Sequence, residues 1–143
     1  NKSICNYPVS SLDILGTIAD LTKVEIEEDK PLDGVNIIPF LTGKEKGTPH
    51  QNIFIRKYDQ KLYSVRDGNL KLVVKKNGNR KELYNLEKDI SESNNIASSN
   101  KEDVKRLYNI LNEWESELID PIFLGLIHTK AWRNRTKKKS QKK

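Results

Sequence analysis

Between Asn52 and Leu86 the apolar residues alternate with polar ones, and two Gly-containing turn pairs interrupt the alternation. A period of two puts every second side chain on one face, which is the signature of half-buried strands. Asp67-Gly68 separates Leu62–Arg66 from Leu70–Val74, and Asn77-Gly78 separates the latter from Glu82–Leu86. Such pairs are strong hairpin signals, because the tight turns that match strand twist need positive φ. The segment therefore predicts an antiparallel sheet of three to four strands. On the first strand the pair is Ile53 and Ile55; on the next, either Leu62, Ser64 and Arg66 or Tyr63 and Val65 share a face. Val65 and Leu72 are core candidates.

A sheet with one apolar face needs a cover, and the chain offers one. Val104, Leu107, Leu111, Trp114 and Leu118 recur at helical spacing along Lys101–Leu118, behind a Ser98-Ser99-Asn100 cluster that suits a helix start, and Pro121 marks its end. Before the sheet two shorter helices are predicted. Ser10 and Asp13 have capping-box spacing at the start of a helix near residues 11–22, with Leu12, Leu15, Ile18, Ala19 and Leu21 as its expected core face. The Pro31-Leu32-Asp33-Gly34 turn then leads to a short helical stretch in Val35–Leu41, with Asn36 as cap, Pro39 in its first turn and Gly43 as its stop. The expected fold class is α+β: a small antiparallel sheet packed by a long C-terminal amphipathic helix and preceded by short helices.

The chain of 143 residues suits a single domain. Its net charge of +6 is uneven, because residues 130–143 hold eight of the 26 Lys and Arg and no acid, so residues 1–129 have two more acids than bases. The domain reading is thus residues 1–129, with 130–143 as a basic, disordered tail. No aromatic follows Trp132, which removes a stacking platform and makes nucleic acid an unfavoured partner. No apolar run approaches the roughly 18 residues that cross a bilayer, so no membrane partner is expected. The absence of methionine predicts a processed product or fragment. The single Cys5 cannot form an internal disulfide, and no Cys/His spacing suggests zinc. His50 and His128 have no evident triad setting, the glycines stand singly without a phosphate-cradling motif, and the acids form no metal cage. No cofactor is expected within the chain.

Several segments resemble, in order, one enzyme family. Pro8-Val9-Ser10-Ser11-Leu12-Asp13 through Thr17-Ile18-Ala19-Asp20-Leu21 is similar to a sulfatase segment reading P-V-S-S-L-D-L-x-P-T-L-x-D-L. Asp33-Gly34 through Pro39-Phe40-Leu41-Thr42-Gly43 resembles its D-G-x-S-L-x-P-L-L-x-G continuation. Pro49-His50, Ile53-Phe54-Ile55-Arg56 and Ser64-Val65-Arg66-Asp67-Gly68-Asn69-Leu70-Lys71-Leu72 are similar to the P-H-E, L-F-W-R and A-V-R-x-G-x-W-K-L elements, and Glu82-Leu83-Tyr84-Asn85-Leu86 through Asn95 to E-L-Y-D-L-x-x-D-P-x-E-x-x-N. The likeness runs over roughly residues 8–118. Gly16, Leu70 and Ile90 stand where the family usually has Pro, Trp and Pro.

The resemblance implies a formylglycine-dependent sulfatase of the alkaline-phosphatase-like superfamily. This chain would be its C-terminal subdomain, with residues 8–43 as the end of the catalytic-domain connection and the catalytic domain upstream as its partner. In that family a Cys or Ser within C/S-x-P-S/A-R becomes formylglycine and attacks sulfur beside a calcium or magnesium ion. Cys5-Asn6-Tyr7-Pro8-Val9 does not fit that motif, so the catalytic and metal-binding residues are expected outside this chain. The substrate would be a sulfated small molecule or glycan, and the compartment periplasmic, extracellular or lysosomal. Arg56, Arg66 and His50 are the candidates for substrate contact, since an arginine on a hairpin can hold a sulfate bidentately; an ion pair is the structural alternative for each arginine. Two other functions remain open on the sequence: a non-catalytic module whose basic tail binds nucleic acid or anionic polysaccharide, and a related phosphoryl or phosphonate hydrolase.

Overall fold

The computed structural model describes residues 4–26, 29 and 32–122. His128, most of the apolar run 122–127 and the basic tail lie outside the described residues. The chain divides into two compact units, one comprising Asn1–Ile53 with Arg66–Leu70 and the other Phe54–Val65 with Lys71–Lys143.

The elements follow in the order α1 (Asp13–Thr22), α2 (Ile38–Leu41), β1 (Asn52–Lys57), β2 (Leu62–Asp67), β3 (Leu70–Lys75), β4 (Arg80–Asn85) and α3 (Lys101–Ser116), with a 3-10 turn at Tyr58–Gln60. The four strands form one sheet in sequence order, β1-β2-β3-β4, so each neighbouring pair is a hairpin. The turn chemistry is that expected, with one shift: Asp67 closes β2, and Gly68 at φ +55° is the first residue of the two-residue loop. That position favours glycine because L side chains rarely adopt the positive φ it requires. The β3–β4 loop places Gly78 and Asn79 at positive φ.

In the second unit the core is sheet against helix. Tyr63, Val65, Leu72, Val74, Leu83, Leu107 and Leu111 are all buried, and Val65 and Leu72 are fully inaccessible as expected. On β2 it is Tyr63 and Val65 that take the helix side, since Lys76 lies over Tyr63 while pairing with Glu115 of α3. On β1 the expected pair gives way to its neighbours. Phe54, not Ile55, faces α3, with its ring stacked on Trp114 at a centroid distance of 4.6 Å, while Ile55 is exposed. Aromatic stacking adds about 1 kcal/mol beyond area burial, and a one-residue change of parity moves a whole strand face. Asn95 Oδ1 accepts from Leu83 N–H, and Ile96 N–H donates to Leu83 O, which fastens the crossing to α3 onto β4.

The helix ends earlier than Pro121 implies. After Ser116 the bonding tightens to i→i−3, with Glu117 N–H donating to Trp114 O and Leu118 N–H to Glu115 O. A tightened last turn satisfies terminal carbonyls without a proline.

Candidate functional site: the inverted helix, the Asp13–His50 junction and two arginines

In the first unit α1 is oriented the opposite way from the reading of its apolar stripe as core. Leu12, Ile14, Leu15, Ile18 and Leu21 are each more than half exposed, and only Asp13 and Ala19 are buried on the helix. What packs is a polar seam at positions i, i+4 and i+7, one face of a 3.6-residue helix. Asp13 Oδ1 accepts from Val35 N–H at 3.1 Å, Thr17 Oγ1 accepts from Ile37 N–H at 3.2 Å, and Asp20 Oδ2 accepts from the Asn36 side-chain amide at 2.7 Å. Periodicity alone identifies a stripe; it does not say that the stripe is covered.

Two glycines allow this close approach. A Cβ on Gly34 would lie 2.1 Å from Leu12 O, and one on Gly16 would lie 2.8 Å from Gly34 O. Gly16, which departs from the Pro of the family segment, therefore has a steric reason to be small.

Asp13 is 1% exposed and gathers three elements. Ser10 N–H donates to Oδ2 at 2.7 Å, which is one half of the expected box; Ser10 Oγ instead accepts from Leu12 N–H at 3.2 Å, and the helix begins only at Asp13, without a side-chain cap. His50 Nε2 lies 2.8 and 2.9 Å from the two carboxylate oxygens; facing a carboxylate, that nitrogen carries the hydrogen. Burial acts to raise the Asp13 pKa, but the hydrogen bonds from Ser10, His50 and Val35 outweigh it, and the carboxyl is held below its ordinary value. The sequence signals Asp13 only as a cap. Its link to His50, 37 residues away, has no local mark.

Arg56, on β1 in the second unit, donates from Nη1 to Ile119 O at 2.9 Å and from Nη2 to Asp120 at 2.7 Å, with the guanidinium 4.7 Å from the Tyr58 ring centre. Burial works to lower its pKa, but Tyr63 and Asp120 raise it, so the net shift is upward. Arg66 donates from Nε to Gly68 O at 2.9 Å, which lays its guanidinium along the hairpin turn. Neither His50 nor the arginines adjoin a metal cage: among the described residues no group of three or more His, Cys, Asp or Glu could hold an ion. Cys5 is exposed and outside the nucleophile motif. The described donor set thus does not fit the metal or formylglycine that the family implies. Among the described residues no helix is long and apolar enough to cross a membrane.

The chain has counterparts among known proteins. The chain is similar to the uncharacterized sulfatase YdeN of Escherichia coli (strain K12), with 25% identity over 74% of this chain and 25% of that protein. It is also similar to the choline-sulfatase of Rhizobium meliloti (strain 1021), with 32% identity over 64% of this chain and 18% of that protein. Among solved structures it matches Ps i-CgsB with a TM-score of 0.74 and 26% identity, over 94% of this chain and 29% of the other; that protein is also solved in complex with k-i-k-neocarrahexaose. A further match, TM-score 0.59 and 25% identity over 73% of this chain and 24% of the other, is to a structure described under the metabolism of multiple glycosaminoglycans by Bacteroides thetaiotaomicron. No family model matches the chain. These likenesses are to sulfatases, and they support a sulfatase-family fragment of the C-terminal type. The chain spans a quarter or less of the length of these curated relatives.

Proposed function

We propose that this chain is the accessory part of an enzyme that hydrolyses sulfate esters, acting on sulfated glycans, and that the reactive centre lies on a catalytic domain outside it. The observation that carries the reading is α1. A helix that packs through Asp13, Thr17 and Asp20 and leaves five large apolar residues more than half exposed is built to be covered on its far side. Water-facing apolar groups of this number mark an interaction surface, and the cavity of about 480 Å³ beside them is lined by Leu12, Ile14, Leu15, Ile18 and Leu32 among others. The occupant in this reading is the larger remainder of a sulfatase, which makes up most of the length of the curated relatives.

Formylglycine and the calcium or magnesium ion belong in this reading to that remainder, where they would supply the nucleophile and the charge that holds sulfate oxygens. This chain's own groups do something else. Asp13 fixes the His50 ring by both carboxylate oxygens, and the Gly68 carbonyl fixes Arg66. A guanidinium held in one orientation loses little entropy on meeting a planar anion, so Arg66, with His50 and Arg56, is proposed to line the substrate rim. Support comes also from the relatives, sulfatases by name, and from the glycosaminoglycan and neocarrahexaose connections of the structural neighbours.

The test is sulfate release by the intact protein that contains this chain, assayed on sulfated and desulfated glycan oligosaccharides. The reading requires release from the sulfated set, and Arg66→Ala should raise KM by roughly tenfold, the loss of one charge-assisted contact. Absence of sulfate release, with phosphate or phosphonate esters cleaved instead, would replace it by the phosphoryl hydrolase reading.

A further inference from the structure

The last row of the sheet carries charge in a pattern that the fold creates and no sequence motif announces. All four strands are six residues long. Lys76 N–H donates to Lys61 O at 2.9 Å, Lys61 N–H to Tyr58 O at 3.0 Å and Asn79 N–H to Lys76 O at 3.3 Å. These bonds close the hairpins in a register that sets Lys57 opposite Leu62, Leu62 opposite Lys75, and Lys75 opposite Arg80. Directly opposite residues share a face. The row on the side away from α3 is therefore Lys57, Leu62, Lys75, Arg80, with three cations spread over four strands. Strand spacing puts Lys57 and Lys75 about 10 Å apart and Arg80 one strand, about 5 Å, further on. Lys57, Lys75 and Arg80 are all exposed.

Cations packed along one row repel each other unless an anion joins them. Glu82 pairs with Arg80 at 2.5 Å and offsets that one charge within the row, while Glu115 is committed to Lys76 and Asp120 to Arg56 at 2.7 Å, so Lys57 and Lys75 carry the row's net positive charge. Immediately beyond the row, Lys61 lies on the Tyr58 ring at 3.9 Å from its centre, which adds positive charge to the same end of the sheet.

We propose that this row, Lys57, Lys75 and Arg80, with Lys61 at its border, is a docking strip for a sulfated polysaccharide lying across the strand ends. The separation of its cations is of the order of that between anionic groups on successive disaccharides. The choice of a sulfated glycan rests on the sulfatase reading above, and one feature of the strip itself favours it over single-stranded nucleic acid. Tyr58 is capped by Arg56 and Lys61, and Tyr63 is 2% exposed, so the strip offers no open ring on which a base could stack.

The probe is a heparin-derived oligosaccharide, with hyaluronan of matched length as the unsulfated anion and a single-stranded oligonucleotide as the alternative, titrated against the full 143-residue chain. The basic residues 130–143 are present in every variant, so their contribution is common to all. The triple variant Lys57→Gln/Lys75→Gln/Arg80→Gln should bind heparin about tenfold more weakly at low salt, with a salt slope shallower by roughly two to three counterions. Lys57→Gln and Lys75→Gln singly should each lose a part of this, which keeps the test readable if the triple variant folds poorly. The double variant Lys44→Gln/Lys46→Gln, exposed in the other unit, should bind like the parent chain. Unchanged heparin affinity in the row variants, equal affinity for hyaluronan, or tighter binding of the oligonucleotide with the same sensitivity would each overturn the proposal. Heparin binding that depends on the row, in a protein that releases no sulfate, would keep the strip and remove the enzyme reading.

Discussion

The Nε2 atom of His50 sits 2.8 and 2.9 Å from the two oxygens of Asp13, a carboxylate that also accepts the Ser10 and Val35 amides. One buried side chain thus ties the start of α1 to the segment before α2 and to the approach to β1. Removing it leaves two backbone donors and an imidazole without their acceptor. Asp13→Ala should therefore destabilise the first unit by about 3 kcal/mol, read as faster hydrogen exchange of the Ser10 and Val35 amides while those of α3 stay protected.

The same carboxylate gives the unit an acid limit. Its pKa is lowered in the folded state, so the folded protein binds the proton less readily than the unfolded chain does. The stabilisation is then fully present above the unfolded value of about 3.9 and is lost as pH falls through the lower folded value. An acid titration of amide protection at Val35 should show this loss at the low end, and Asp13→Asn should flatten it.

Gly34→Ala should open the seam outright. Its Cβ would fall 2.1 Å from a backbone oxygen of Leu12, an atom that cannot swing aside as a side chain could. The expected result is loss of protection at Val35 and Ile37 as severe as that of Asp13→Ala. The milder clash at Gly16 should give a smaller effect of the same kind.

Leu107 and Leu111 have no accessible surface. Either Leu→Ala change should cost about 2–5 kcal/mol in urea unfolding of the second unit, whereas Arg56→Ala should cost about 1 kcal/mol or less. The latter's partner Asp120 is largely in water, where ion pairs are weak.

The sheet and its covering helix were legible because their signals are local. Asp67-Gly68 and Asn77-Gly78 specify hairpins within a few residues, and Leu107, Leu111 and Trp114 repeat within one helix. The β1 face was not, since Phe54 and Ile55 are both apolar and only the stack on Trp114 decides between them. The orientation of α1 was hidden for a different reason. Its apolar stripe is at helical spacing, as the periodicity implies, but among the described residues it stays exposed. The signal that could have revealed this is the second stripe, Asp13, Thr17 and Asp20, at the same helical spacing. The Asp13–His50 contact and the basic row both join residues distant in sequence, and appear only once the chain is folded.

Hydroxyl-radical footprinting of α1 tests the central claim most directly, with Leu15 and Ile18 compared against the buried Leu107, in this chain alone and in the intact protein that carries it. The account predicts that Leu15 and Ile18 are oxidised readily in the chain alone and protected in the intact protein, while Leu107 is protected in both. Protection of Leu15 and Ile18 in the chain alone, or equal oxidation in both forms, would contradict it.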